Sequence, residues 1–192
     1  MVNDVMAVDS ITPCYVSGKG MHATETTWHF KTAVMSVLQS SGLGYDTRHR
    51  YYQQQFPDMQ ADEFARMVCD PIERYDKDWP AWQGDNRHCF DSEDECITAF
   101  FLERDLGFQA EAKVAIVGFD EAGFGSGVNV MRFIQAGKPV LGFYNPRLHR
   151  EGYNIHNVMQ LEMAHPELVT LYRYQHVDDI TEQVVAWLEV LI

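Results

Sequence analysis

The alternation of short apolar runs with helix-patterned stretches is what most constrains the fold of this chain. "AKVAIVGF", ending at Phe119, is a continuous apolar run of the kind buried on both faces of a parallel sheet. A glycine-bearing loop follows, then "VNVMRFIQA" at helical spacing, then a second strand, "KPVLGFY". Ser126 stands where a helix cap is expected, and Gly137 can end the helix in a left-handed conformation. The chain opens in the same way. "TPCYVSG" reads as a buried strand stopped by the glycines of "SGKG". Trp28, Phe30, Ala33, Val34, Val37 and Leu38 then recur at helical spacing, closed by Gly42 and Gly44. Further on, "NIHNVMQLEMAH" reads as a helix and "LVTLYRY" as the last strand. Ser92 with Glu95, and Asp179 with Glu182, have capping-box spacing at two helix starts. The pattern predicts a doubly wound α/β domain, flavodoxin- or Rossmann-like. Its parallel sheet of about five strands carries helices on both faces.

At 192 residues the chain suits one domain. The stretch from about 45 to 91 breaks the alternation and reads as an irregular insertion. It holds "YYQQQFPD", a short helix in "ADEFARMVCD", and the aromatic segment "RYDKDWPAWQGDNRHCF". Prolines and paired tryptophans predict an ordered excursion rather than a linker. Trp79 and Trp82 either stack on a base or anchor the insertion to the body. A net charge of -13 argues against binding nucleic acid or an anionic membrane. No apolar run is long enough to span a bilayer, and "MVNDVMAVDSITP" lacks the pattern of a secretory signal. Cys14, Cys69, Cys89 and Cys96 form no C-x-x-C pair, so reduced thiols in a cytoplasmic protein are expected. His88, Cys89 and Cys96 match no common zinc spacing, and neither a metal nor a cofactor is called for.

In a parallel sheet, ligands sit beyond the carboxyl ends of the strands. "VAIVGF" delivers its end to Asp120 and Glu121, followed by glycines at 123, 125 and 127. Gly125 and Gly127 permit close approach of a ligand, and Asn129 falls in the first turn of the next helix. At the mouth of the first strand, Ser17, Gly18 and Lys19 can hold a phosphate. His22 and Glu25 lie in the same stretch. The alternative there is a plain loop before a helix capped by Thr24 or Thr26.

The order of these pieces resembles the signature of the nucleoside 2-deoxyribosyltransferase family. That signature is an apolar strand, an acidic residue, a glycine-bearing loop, a glutamate opening a helix, and a small-residue helix ending in Gly-Lys. Here it becomes Asp120, the loop through Gly127, position 129, and "QAGKP". Asp105 in "ERDL" resembles the family aspartate on the preceding helix. Asn157 and Met159 in "HNVM" resemble the family's "Asn-Leu-Met" segment, and "PCYVSG" its first strand and ligand loop. The resemblance covers the first strand and the chain from about residue 92 onward, but not the insertion.

The resemblance implies a nucleoside or nucleotide in a pocket at the sheet's C-terminal edge, a homo-oligomer, and cleavage or transfer at the N-glycosidic bond. The family glutamate attacks the anomeric carbon, because an anion stabilises the cation-like transition state and then bonds to it. This chain departs there: Asn129 is neutral, a poor nucleophile and one methylene shorter. Two readings follow. Asp120 or Glu121 takes over the chemistry, or the protein is a catalytically inactive sensor or regulatory homologue that binds without turnover. For each residue a plain role stands beside the functional one. Asp120 and Glu121 can be solvated loop acids, Asp105 a helix-surface carboxylate near Arg104, and Asn157 a helix cap.

Overall fold

A computed structural model describes residues 11–19, 23–60, 62–64, 78–148 and 153–191. His22, Cys69 and most of the helix expected in "ADEFARMVCD" lie outside them. The described elements run β1 (Thr12–Ser17), α1 (Glu25–Ser41), β2 (Gly44–Asp46), α2 (Thr47–Gln55), α3 (Trp79–Asn86) and a 3-10 turn (Arg87–Cys89). They continue with α4 (Glu93–Glu111), β3 (Val114–Gly118), α5 (Phe124–Gln135), β4 (Val140–Tyr144), α6 (Tyr153–Ala164), β5 (Val169–Arg173) and α7 (Val177–Leu191). The five strands are all parallel and lie in the order β2-β1-β3-β4-β5. This is the doubly wound arrangement, with its switch point between β1 and β3.

Side-chain alternation along the strands builds two cores. Cys14 and Val16 face α1 and α7 with Phe30, Val34, Ile116, Leu141, Ile180 and Leu188. Tyr15 faces the opposite way, with Phe108 of α4, Val130 and Phe133 of α5, and Val158 of α6. Gly142 in β4 marks a close approach: a Cβ there would stand 2.5 Å from both Leu171 Cδ2 and Phe119 Cε2. Gly142→Ala should therefore cost about 1–3 kcal/mol by overpacking, read as a lower denaturant midpoint at unchanged slope.

Local signals explain most boundaries. Thr24 caps α1, and Gly42, at φ 69°, ends it. Ser92 and Glu95 form the expected capping box of α4. Gly137 (φ 66°) follows the end of α5. Three details differ from expectation. Ser126 does not cap α5, which begins at Phe124 after Gly123. Ser126 lies inside the first turn, where its hydroxyl donates to Gly18 O at 3.0 Å. Asp179 is likewise inside α7 and reaches back to accept from the Gln175 and His176 amides at 2.9 and 3.0 Å. The presumed insertion also begins later, because β2 and α2 occupy residues 44–55 and belong to the core. Asp46 joins them: its carboxylate accepts from Val16 N at 2.7 Å and caps α2 through His49 N at 2.8 Å. Trp79 and Trp82 stack on one another and pack on Phe100 of α4, so they anchor α3 to the body. Among the described residues no helix is long and apolar enough to cross a membrane.

Candidate functional site

Tyr15 is the organising residue of the site. It lies mid-strand in β1, all but fully buried, stacked on Phe133 at 5.8 Å between ring centroids. The Arg48 guanidinium covers its ring at 4.6 Å and donates to Val16 O. Burial pushes the Tyr15 phenol up to about 12; Asp105 and Asp46 add to the rise, while Arg48 and Gln109 oppose it. The phenol therefore keeps its proton at neutral pH.

Two helices, α4 and α5, bring polar side chains to and around that phenol. From α5, Asn129 Nδ2 donates to Tyr15 Oη at 3.3 Å. From α4, Gln109 Nε2 donates to Asn129 Oδ1 at 3.0 Å. Arg132 Nη1, one turn further along α5, donates to the same Oδ1 at 3.2 Å. Asp105 lies one turn before Gln109 on the same face of α4, within electrostatic reach of both Tyr15 and Arg48. It is half-buried and accepts no hydrogen bond among the described residues. Lys138, the lysine of "QAGKP", fixes this end of α4: its ammonium donates to the carbonyls of Gln109, Ala110 and Ala112 at 2.8, 3.0 and 2.6 Å.

The other sequence-predicted residues fall into separate groups. Asp120 ties the strand ends together. One oxygen accepts from Asn145 N at 2.7 Å and the other from the Tyr174 hydroxyl. Glu121 reaches across to α1, accepting from Thr24 N at 3.1 Å, Thr24 Oγ1 at 2.7 Å and Thr27 Oγ1 at 2.5 Å. Ser17 is buried, Gly18 receives Ser126, and the Lys19 carbonyl accepts from the buried Lys31 ammonium at 3.0 Å. Gly125 and Gly127 are exposed, and a Cβ on either would meet open space. Gly127 and Asn157 line a cleft of about 690 Å³ between α5 and α6, with Phe124, Met131 and Arg132. Asn129 is not in its lining but is joined to it through Arg132. Met159, two residues beyond Asn157, turns to a different face of α6. A second cavity, of about 580 Å³ along the edge strand β2, contains none of the sequence-predicted site residues.

Asn129 thus bonds the Tyr15 phenol and Asp105 lies within electrostatic reach of it, whereas Asp120 and Glu121 are each engaged in structural bonds. Sequence reasoning missed Tyr15, Gln109, Arg48 and Arg132. Gln109 was within reach of a spacing argument, four residues after Asp105. No protein-family model matches the chain, and no curated protein matches it.

Glu121 makes its own prediction. Burial alone would raise its pKa, but the bonds from Thr27 and Thr24, helped by Lys19, outweigh this and hold the carboxyl below its usual value of 4.5. A depressed folded pKa stabilises above the unfolded value and is lost as pH falls through the folded one. Glu121→Gln should cost about 1 kcal/mol at pH 7, and the gap from the natural chain should narrow as acid protonates the natural glutamate, at a pH below its usual value of 4.5. Urea titrations across pH would show it; a gap independent of pH would contradict the assignment.

Proposed function

We propose that the protein binds a nucleoside or nucleotide beside Tyr15, Asp105, Gln109 and Asn129, and that Asn129 leaves it without the attacking anion for N-glycosidic cleavage. One observation carries this reading: Asn129 hydrogen-bonds the Tyr15 phenol, and Asp105, far from it in sequence, is close enough for its charge to act on that phenol. These are positions that the resemblance to nucleoside 2-deoxyribosyltransferases ties to the ligand. The engagement of Asp120 with Tyr174 and of Glu121 with Thr24 and Thr27 supports binding over chemistry, since neither carboxylate is spare to replace the missing glutamate. A sensor or regulatory role is what such a binder would serve.

A second reading, cleavage or transfer at the N-glycosidic bond, is favoured by the Asp105 carboxylate, which accepts no hydrogen bond among the described residues. One experiment separates the two. The protein is incubated with a panel of nucleosides and nucleotides, its melting temperature is recorded, and free base is sought by chromatography. At a hundredfold excess over Kd, a ligand of the folded state adds about 2.7 kcal/mol, roughly 5–10 °C for a chain of this size. Stabilisation without free base supports the binder. Free base that disappears in Asp105→Ala supports the enzyme. No stabilisation and no free base across the panel sinks the nucleoside reading.

The resemblance also carries a homo-oligomer, in which the Asn157 segment would complete a neighbour's pocket. The exposure of Phe124, 90%, and of Met131 beside Asn157 supports it. Sedimentation velocity at micromolar concentration should give a dimer or larger species, and a monomer would contradict the proposal.

A further inference from the structure

Gln109 carries an unmet hydrogen-bonding need. Its side chain is 6% exposed, and its amide NH2 is committed to Asn129. Its carbonyl oxygen Oε1 is sealed from solvent and accepts nothing among the described residues. Buried acceptors without donors are costly and rare, so a donor absent from the chain itself is the expected complement. The Asp105 carboxylate on the same face of α4 likewise accepts no hydrogen bond among the described residues. Gln109 Oε1, on the side chain that bonds Asn129, calls for a ligand bearing a donor, and the half-buried Asp105 carboxylate one turn before it on α4 can accept a second.

We infer that this ligand carries a hydroxyl at the sugar C2′, and so is a ribosyl compound rather than a 2-deoxyribosyl one. The inference rests on the nucleoside reading above, in which residue 129 addresses the anomeric carbon. The ring carbon bonded to the anomeric carbon is C2′. Gln109, Arg132 and Tyr15 are each one hydrogen bond away from Asn129, and of these Gln109 alone offers a buried acceptor without a donor, so it is the group suited to that carbon's substituent. A 2′-hydroxyl supplies the proton that Oε1 lacks, and its lone pairs can accept from Asn129 Nδ2. The adjacent 3′-hydroxyl has Asp105 as its acceptor. A methylene at C2′ offers no donor and leaves Oε1 unpaired. A site built to bond a hydroxyl discriminates strongly against the analogue lacking it. Vicinal hydroxyls also explain why the two acceptors sit one helical turn apart on one face of α4.

The test is calorimetric titration of the full chain with matched pairs, each as the free nucleoside and as its 5′-monophosphate: adenosine and 2′-deoxyadenosine, cytidine and 2′-deoxycytidine, guanosine and 2′-deoxyguanosine, uridine and 2′-deoxyuridine. At least one ribonucleoside should bind roughly tenfold or more tightly than its 2′-deoxy partner. Gln109→Met, similar in length but without the acceptor, should bring that ratio close to one by weakening the ribonucleoside. The wild-type ratio decides the inference even if that variant fails to fold. Equal affinity within every pair, or tighter deoxynucleosides, overturns the inference and leaves the nucleoside reading standing. A preference that survives Gln109→Met overturns the role of Gln109. No binding by any member of any pair overturns the nucleoside reading, and the inference with it.

Discussion

Asn129→Glu should raise the release of free base from nucleosides by a factor of roughly hundreds or more. The surroundings of residue 129 are able to seat a carboxylate. Gln109 Nε2 and Arg132 Nη1 already donate to Oδ1, and both can donate to a glutamate oxygen. The Tyr15 phenol now accepts from Asn129; holding its proton to about 12, it can turn round and donate. Asp105 opposes the new charge and Arg48 offsets it. An anion in that position would face the developing charge at the anomeric carbon, which an amide cannot neutralise. Single-turnover chromatography on the natural chain and the variant measures the effect. Unchanged base release by a folded variant would mean that residue 129 does not face the sugar.

Asp120→Ala should lower stability by about 2–4 kcal/mol, or roughly 5–15 °C in melting temperature. The loss comes from two donors stripped of their acceptor: the Asn145 amide and the hydroxyl of Tyr174, itself 6% exposed. Burial, followed by the bond and charge of Asp120, keeps that phenol well above its usual range, so it remains a donor in search of a partner. A double-mutant cycle with Tyr174→Phe should give a coupling of about 1 kcal/mol or more, because the second change removes one of the orphaned donors. A residue whose role is chemical rather than structural would show the reverse, with stability intact and turnover lost. That result would return Asp120 to the catalytic list.

The fold was readable because its signals are local and redundant. "AKVAIVGF" and "KPVLGFY" are long enough to show a period, and Thr24, Ser92 and Gly137 sit at boundaries with side chains or backbone angles suited to them. β2 escaped notice because three residues, "GYD", carry no period, and what makes them a strand is pairing to β1 across thirty-odd positions of chain. The N-cap role assigned to Ser126 failed for a related reason: the loop tolerates an earlier helix start, and the hydroxyl found a better acceptor at Gly18. At the site, the residues with motif-like spacing were visible and their partners were not. Tyr15 reads as an ordinary strand residue and Arg48 as a helix-surface cation until the chain folds. Asp120 and Glu121 looked available because a sequence cannot show that Tyr174 and Thr27 will claim them.

The most direct measurement is a crystal structure of the protein grown with the tightest-binding nucleoside from the panel. The sugar ring should lie beside Asn129, with a ring hydroxyl within about 3 Å of Gln109 Oε1 and the Asp105 carboxylate in reach of its neighbour. A nucleoside lying instead in the α5–α6 cleft, with the bonds among Tyr15, Gln109 and Asn129 unchanged from those described, would contradict that placement.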